Sequence, residues 1–376
     1  MAWQLACKGE SSRAIDVLAA QQQWVLSQDD APLRSRFYLA RSGIHAFSDR
    51  LADAIADSES ALEILRAVDD QIAMLVNLAN VGLFRAWRGE LVAAREVLEQ
   101  ARSLRDRLHG RGSALLIDLH YGAVLRDFGD YTQALAVLEP ALAEYKTQLA
   151  GDAELRTDVV VGENHLAQLW LLLGDAQRAE ACMASDDAAT GTRFRARRAA
   201  LLLRAARARG LFDECRLAVT QQLADELPPS FNRTLTELEL VRGLDTAAAE
   251  ARLAELCEEP VLRERPGLRM HALALRAEAL RRLGQVDSAL ACADEILELD
   301  ERFMPFDMDP VSVWSAAHAA LRDAGQASRA RAVAEKAERW LHATAKNGVP
   351  PAALDSFVRR HAAACRAMGI RPLPSQ

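Results

Sequence analysis

One pattern recurs along this chain and limits what it can fold into. An apolar stretch is followed by glycine and a polar residue, then a second apolar stretch with alanine five residues after the glycine. Around Gly129 it reads LRDFGDYTQALAVLEPAL. Steps of forty residues back reach Gly89, Asp49 and Gly9, and the pattern returns further on at Gly174, Gly210, Gly284 and Gly325. Ala14, Ala54, Ala94, Ala134, Ala179, Ala289 and Ala330 keep the alanine, and Cys215 replaces it with another small residue. These eight repeats, with a ninth of irregular register near 230–258, account for most of the chain. A period of this length means supersecondary units that stack on one another.

Each repeat has a physical logic. In the Gly129 repeat, Leu125, Phe128, Tyr131, Leu135, Leu138 and Leu142 have the three-and-four spacing of amphipathic helices. Glycine lets the chain leave the first helix with positive φ, and the small residue five places on lets the second helix approach closely. Eleven of the twelve prolines fall at expected loops or helix ends. Pro140 lies inside a second helix, where a missing backbone donor predicts a kink. The fold class expected is all-α, built of antiparallel helix pairs. An array of about nine hairpins is expected over residues 1–346, with a capping helix and tail over 347–376. The first hairpin is truncated, because only MAWQLACK precedes Gly9. Trp3 and Leu5 then imply either further chain upstream or an association surface at that uncapped end.

The repeats resemble tetratricopeptide repeats. The family's small residue of the first helix matches Gly82, Gly122 and Ala277, its turn glycine matches Gly89, Gly129 and Gly284, and the residue two later is Leu91, Tyr131 or Val286. The second-helix small residues match Ala94, Ala101, Ala134, Ala141 and Ala289. The resemblance covers nearly the whole chain and implies a right-handed superhelical solenoid. The forty-residue step is similar to the longer repeats of bacterial signalling regulators, including the MalT-like group. Residues 339–358, RWLHATAKNGVPPAALDSFV, resemble the closing segment of arrays attached to bacterial ATPase, cyclase, kinase and winged-helix regulators, but RRHAAACRAMGI departs from it downstream.

The composition leaves little room for chemistry. A net charge of −7 gives no reason to expect nucleic-acid binding, and no run of eighteen apolar residues would span a membrane. GxxxxGK[ST], HExxH and GxSxG are all absent. Six scattered cysteines without a CxxC pair read as small buried thiols in a reducing cytoplasm. Asp307-Met308-Asp309 lacks the further carboxylates and glycine of a calcium loop, and between Pro305 and Pro310 it reads as a connector. The expectation is a protein that is not an enzyme and needs no cofactor or metal.

One segment stands apart. RFRARRAALLLRAARARG, residues 193–210, carries seven arginines and no acid. The resemblance implies that the second, fifth, ninth and twelfth positions of each first helix line a concave groove. Counted from Gly210, these include Arg197, Arg204 and Arg207; the preceding repeat supplies Asn164 and Gln168, and a later one His271, Glu278 and Arg281. Such a groove would hold an acidic peptide or a carboxylate terminus through charge-assisted hydrogen bonds. The competing reading is a solvated arginine face paired with nearby acids such as Asp213 and Glu214. In the earlier repeats the equivalent positions are apolar or small: Leu39, Gly43 and Ala46, then Ala79, Leu83, Ala86 and Trp87. These would receive an amphipathic helix or pack between adjacent helices.

The resulting expectation is a cytoplasmic, non-catalytic protein–protein interaction scaffold of bacterial signalling, binding a peptide or partner domain. The alternatives are a small-molecule-sensing arm of a MalT-like transcriptional regulator and a purely structural oligomerisation piece.

Overall fold

A computed structural model describes residues 11–108, 114–149, 156–183, 190–211, 213–371 and 373. Among them are nineteen α-helices and no strand. No described helix is long and apolar enough to cross a membrane. The chain divides into two compact units, Met1–Val124 and Leu125–Gln376.

In the first unit α1 (Ser11–Ser27) is followed by α2 (Ala31–Phe47), α3 (Leu51–Ala67), α4 (Gln71–Arg88) and α5 (Leu91–Arg107). The strongest packing is within the pairs α2–α3 and α4–α5, with α3 against α4 joining them. The unit boundary falls inside α6 (Ala114–Phe128). The second unit continues with α7 (Tyr131–Leu149), α8 (Arg156–Leu172), α9 (Ala176–Cys182), α10 (Thr192–Ala208), α11 (Glu214–Asp225) and α12 (Phe231–Leu240). Then come α13 (Thr246–Glu258), α14 (Pro260–Arg263), α15 (Pro266–Arg282), α16 (Val286–Leu299), α17 (Pro310–Asp323), α18 (Ala327–Asn347) and α19 (Leu354–Met368). The irregular repeat is α12–α13, where a 3-10 turn over Val241–Gly243 replaces the glycine exit.

The turn pattern has the geometry its residues require. Gly89, Gly129, Gly174, Gly210, Gly284 and Gly325 all have positive φ, and Asp49, in the glycine position of its repeat, adopts φ 56°. Gly9 and the helix expected before it lie outside the described residues. Ala14, Ala54, Ala94, Ala134, Ala179, Ala289 and Ala330 are all buried, as close approach demands. Cys215 departs from this, being exposed, whereas Cys257, Cys292 and Cys365 are buried. Pro140 sits within α7, which runs on as one helix to Leu149.

The small residue of the first helix has an equally local reason. A Cβ on Gly82 would lie 2.4 Å from Cγ of Leu98, a residue with no solvent exposure. Alanine is worth about 1 kcal/mol over glycine in a helix interior, but overpacking a buried site costs about 1–3 kcal/mol. The expected result for Gly82→Ala is net destabilisation of the first unit in urea unfolding. A stabilised variant would mean that α4 and α5 are not in close contact.

The second unit has two layers. α8 is buried almost all round; between Val159 and Leu172 only Val161 and His165 are partly exposed. α15 is buried along most of its length, whereas its partner α16 buries only Ala289, Cys292, Ala293 and Ile296. First helices therefore form an inner layer and second helices an amphipathic outer one. The path then returns to its start. The Thr132 amide donates to the Gly348 carbonyl at 2.8 Å, and the rings of Tyr131 and Phe357 lie 6.0 Å apart. A Cβ on Gly174 would be 2.5 Å from the Ser356 carbonyl oxygen, so α19 is seated tightly at the α8–α9 turn. The inner face of this unit is thus an enclosed polar core and not an open groove.

Candidate functional site

The arginine helix α10 lies in that inner layer, packed against α8, α11 and α12. Its caps are modest: Gly191 stands at the N-terminus without a side-chain bond, and the backbone of Arg209 closes the other end. Tertiary contacts hold its long side chains. Arg197 donates to the carboxylate of Asp307 and, through Nη2, to Oε1 of Gln168 at 3.0 Å. Arg204 reaches the same carboxylate at 2.6 Å, the Asp307 carbonyl at 3.0 Å and Glu239 Oε1 at 3.0 Å through Nε. Arg207 donates to the Glu239 carbonyl at 2.6 Å. Arg197, Asp307 and Glu239 are buried; Arg204 and Arg207 are half-buried.

The structure therefore brings Arg197, Arg204, Arg207 and Gln168 into one network. Asn164 belongs to a separate cluster with Arg198, whose Nη2 lies 2.6 Å from the buried carboxylate of Glu163. His271 joins through Arg242, which donates to Nε2 at 3.4 Å. Glu278 is exposed, and Arg281 pairs with Asp323 at 2.7 Å, so these two stand outside the network. The nearby acids expected as partners are engaged elsewhere or exposed: Asp213 caps α11 and pairs with Arg216, and Glu214 faces solvent. The partners are instead Asp307, Glu239 and Glu163, distant in sequence from α10.

Electrostatics follow from burial and pairing. Burial alone pushes the Glu239 carboxyl up, but Arg204 and Arg242 outweigh it and hold the group down to about 2. Burial opposes ionisation of Asp307 too, and Arg197 and Arg204 hold it well below the usual carboxylate range. His271 is pushed down to about 3 by burial and by Arg242, so it is neutral in the fold. All three bind protons more readily once unfolded, so each makes stability rise with pH. The His271 contribution is lost from about pH 6.5 downward, and that of Glu239 from about pH 4.5 toward 2. Asp127, pushed up by burial despite its pairing with Arg126, acts in the opposite sense. Urea unfolding of the second unit should show stability falling between pH 7 and 4. Replacing His271 with glutamine should flatten the part above pH 5; an unchanged slope there would remove His271 from this account.

Among the described residues no group of three or more His, Cys, Asp or Glu side chains is placed to hold a metal ion. Asp307, read from sequence as part of a connector, is instead the residue on which two arginines converge. A signal was present: two prolines bracket an aromatic residue and two aspartates, a composition that keeps the segment out of a helix.

In the first unit the groove positions inferred from sequence are mostly packed between helices. Ala46, Ala79 and Ala86 are buried, and Leu39, Gly43, Leu83 and Trp87 are half-buried. Leu83 and Trp87 lie against the cluster of Ala46, Leu51, Ala54, Ile55 and Phe84. Earlier on α4, Ile72 and Val76 are 46% and 43% exposed. With Leu83 and Trp87 they form one apolar strip along that helix, at spacings of four, seven and four residues.

No protein-family model matches the sequence, and the search of curated proteins finds no match. Among solved structures, a tetratricopeptide repeat protein from Parabacteroides merdae is 15% identical, with a TM-score of 0.29, over 87% of this chain and 98% of that one. The TPR2AB domain of yeast Sti1 in a pHSP90 complex is 14% identical, with a TM-score of 0.26, over 89% of this chain and 98% of that one. The P58(IPK) TPR domain is 13% identical, with a TM-score of 0.23, over 98% of each chain. Scores this low carry no argument, so the all-α, paired-helix fold rests on the helices, turn glycines and buried alanines described above.

Proposed function

We propose that this chain is a non-catalytic protein-binding repeat protein whose accessible docking face lies in the first unit. The observation that carries the reading is the strip of Ile72, Val76, Leu83 and Trp87, open to solvent at its Ile72–Val76 end. Its partner is an amphipathic helix with acidic flanks: Arg41, Arg85 and Arg88 already pair with Asp57, Glu59 and Glu90, and the cations offered to the partner's acids are Arg34 and Arg36 of α2, a helix without an acidic residue. An apolar face laid on such a strip, with acids toward the arginines, is the helix-in-groove mode of recognition. The bacterial signalling and cytoplasmic setting is part of the proposal, supported by the resemblance of the repeats and of residues 339–358 to regulator arrays.

The test compares wild type with an Ile72→Asp/Val76→Asp variant. Both sites are exposed, so each change should alter stability by no more than about 0.5 kcal/mol. Binding of a synthetic helix with leucines on one face and glutamates on its flanks, followed by calorimetry, should weaken at least tenfold. Equal binding by the two proteins would refute the assignment of this face.

A further inference from the structure

α16 and α17 are joined by ten residues, Asp300 to Asp309, where the neighbouring links α15–α16 and α17–α18 have three. Part of this long link enters the inner layer in the manner of a bound peptide. The Phe306 amide donates to the Gly267 carbonyl at 3.0 Å. The Phe306 ring lies 5.7 Å from that of Phe231, which Arg265 covers on another side at 4.2 Å. The link backbone passes so close to Gly267 that a Cβ there would meet the Met304 carbonyl oxygen at 2.5 Å. Asp307 then delivers its carboxylate to Arg197 and Arg204.

Two features distinguish this segment from a permanent part of the core. Asp307 has φ 63°, a left-handed conformation that aspartate adopts more readily than most residues, but one that here falls inside the long link and not at a repeat turn as at Asp49. In addition, the site holds hydrogen-bonding capacity that the segment does not use. Among the described residues, the buried Gln168 Nε2, Arg207 Nη2, Glu239 Oε2 and His271 Nδ1 have no hydrogen-bond partner. Buried polar atoms left unpaired are costly, and an occupant that satisfied them would be held better.

We propose that residues 304–308 are an internal occupant of a peptide site, and that the site accepts from a partner an extended segment in which an aromatic residue is followed directly by aspartate. Phe231 and Gly267 read the aromatic residue and its backbone, and Arg197 and Arg204 read the carboxylate. The proposal rests on the reading of the chain as a protein-binding repeat but uses a different surface, so its failure leaves the Ile72–Val76 face untouched.

The probe is the chain's own sequence as a synthetic peptide, residues 302–310, together with a version carrying asparagine for Asp307. Full-length Asp307→Asn protein should bind the aspartate peptide at least tenfold more tightly than the asparagine peptide, with a rise in melting temperature for the first alone. Wild type should bind the aspartate peptide at least tenfold more weakly than the variant, because its own segment competes. Equal binding of the two peptides, or none, would overturn the proposal. If the variant does not fold, hydrogen exchange on the wild type decides. The Phe306 amide should then exchange by a local opening, faster than the α15 and α17 amides beside it, and faster again with the aspartate peptide. Exchange of Phe306 only on global unfolding would show a fixed segment and end the proposal.

Discussion

Asp307→Ala should destabilise the second unit by about 3–5 kcal/mol, the range for breaking a buried ion pair by removal of one partner. The effect is large because one carboxylate answers two guanidinium groups, and Arg197 has no other anionic partner in the network. Arg204 keeps Glu239, so the loss centres on Arg197, which would remain buried with Gln168 as its hydrogen-bond partner and the already paired Asp127 as the other carboxyl that feels its charge. Exposed pairs such as Arg50–Asp53 follow a different scale, with a median worth of about 0–1 kcal/mol. Equilibrium urea unfolding at neutral pH measures the difference, which should persist in high salt because burial limits screening. Replacing Asp307 and Arg197 together with apolar residues should cost less than the single aspartate change, since Arg204 keeps Glu239 and no buried arginine is left without a carboxylate. A loss below about 1 kcal/mol for Asp307→Ala would mean that the carboxylate is not enclosed.

The second large effect lies at the closing contact. Phe357 has no solvent exposure, stacks near Tyr131 and lies 4.4 Å, centroid to centroid, from His361. Phe357→Ala should cost about 3–5 kcal/mol as transfer and cavity terms combine. In an open array, weakening the last helix frays that end and leaves distant repeats intact. Here the Thr132 amide, which donates to Gly348, should lose protection from hydrogen exchange along with α19. His361 and Arg360 share Asp309, so the same change should loosen the grip on the start of α17. Unchanged protection at Thr132 would show that closure does not depend on this ring.

How far the sequence goes follows from the range of its signals. Helix pairs were legible because glycine exits and alanine approaches are contacts between neighbours, written five residues apart; even Asp49 was placed by register and takes the left-handed turn. The arginine helix was legible as an inner-face element, but its partners were not. Arg197 meets Asp307 across 110 residues, and no local pattern announces that pairing. Nor does the period say whether an array stays open, since small rotations per repeat decide whether the last helix meets the first. The sequence marked Ala79, Leu83, Ala86 and Trp87 as groove positions on α4 but did not single out Ile72 and Val76, which are exposed earlier on the same helix. Leu83 and Trp87 pack against the cluster around Phe84, whereas Ile72 and Val76 remain exposed.

The hydrogen bond from Thr132 to Gly348 spans 216 residues, and this has a consequence for the order in which the protein is made. A nascent chain emerging from the ribosome can complete α7 and α8 early, but it must hold their inner faces uncovered until residues 348–357 have been translated. Long-range closure of this kind slows folding relative to a stack that zips up neighbour by neighbour. During that interval the Glu163–Arg198 pair is already complete and Arg197 has its carboxylate once Asp307 is made, so what waits for the last residues is the surface around Tyr131 and Gly174 that Gly348, Ser356 and Phe357 close.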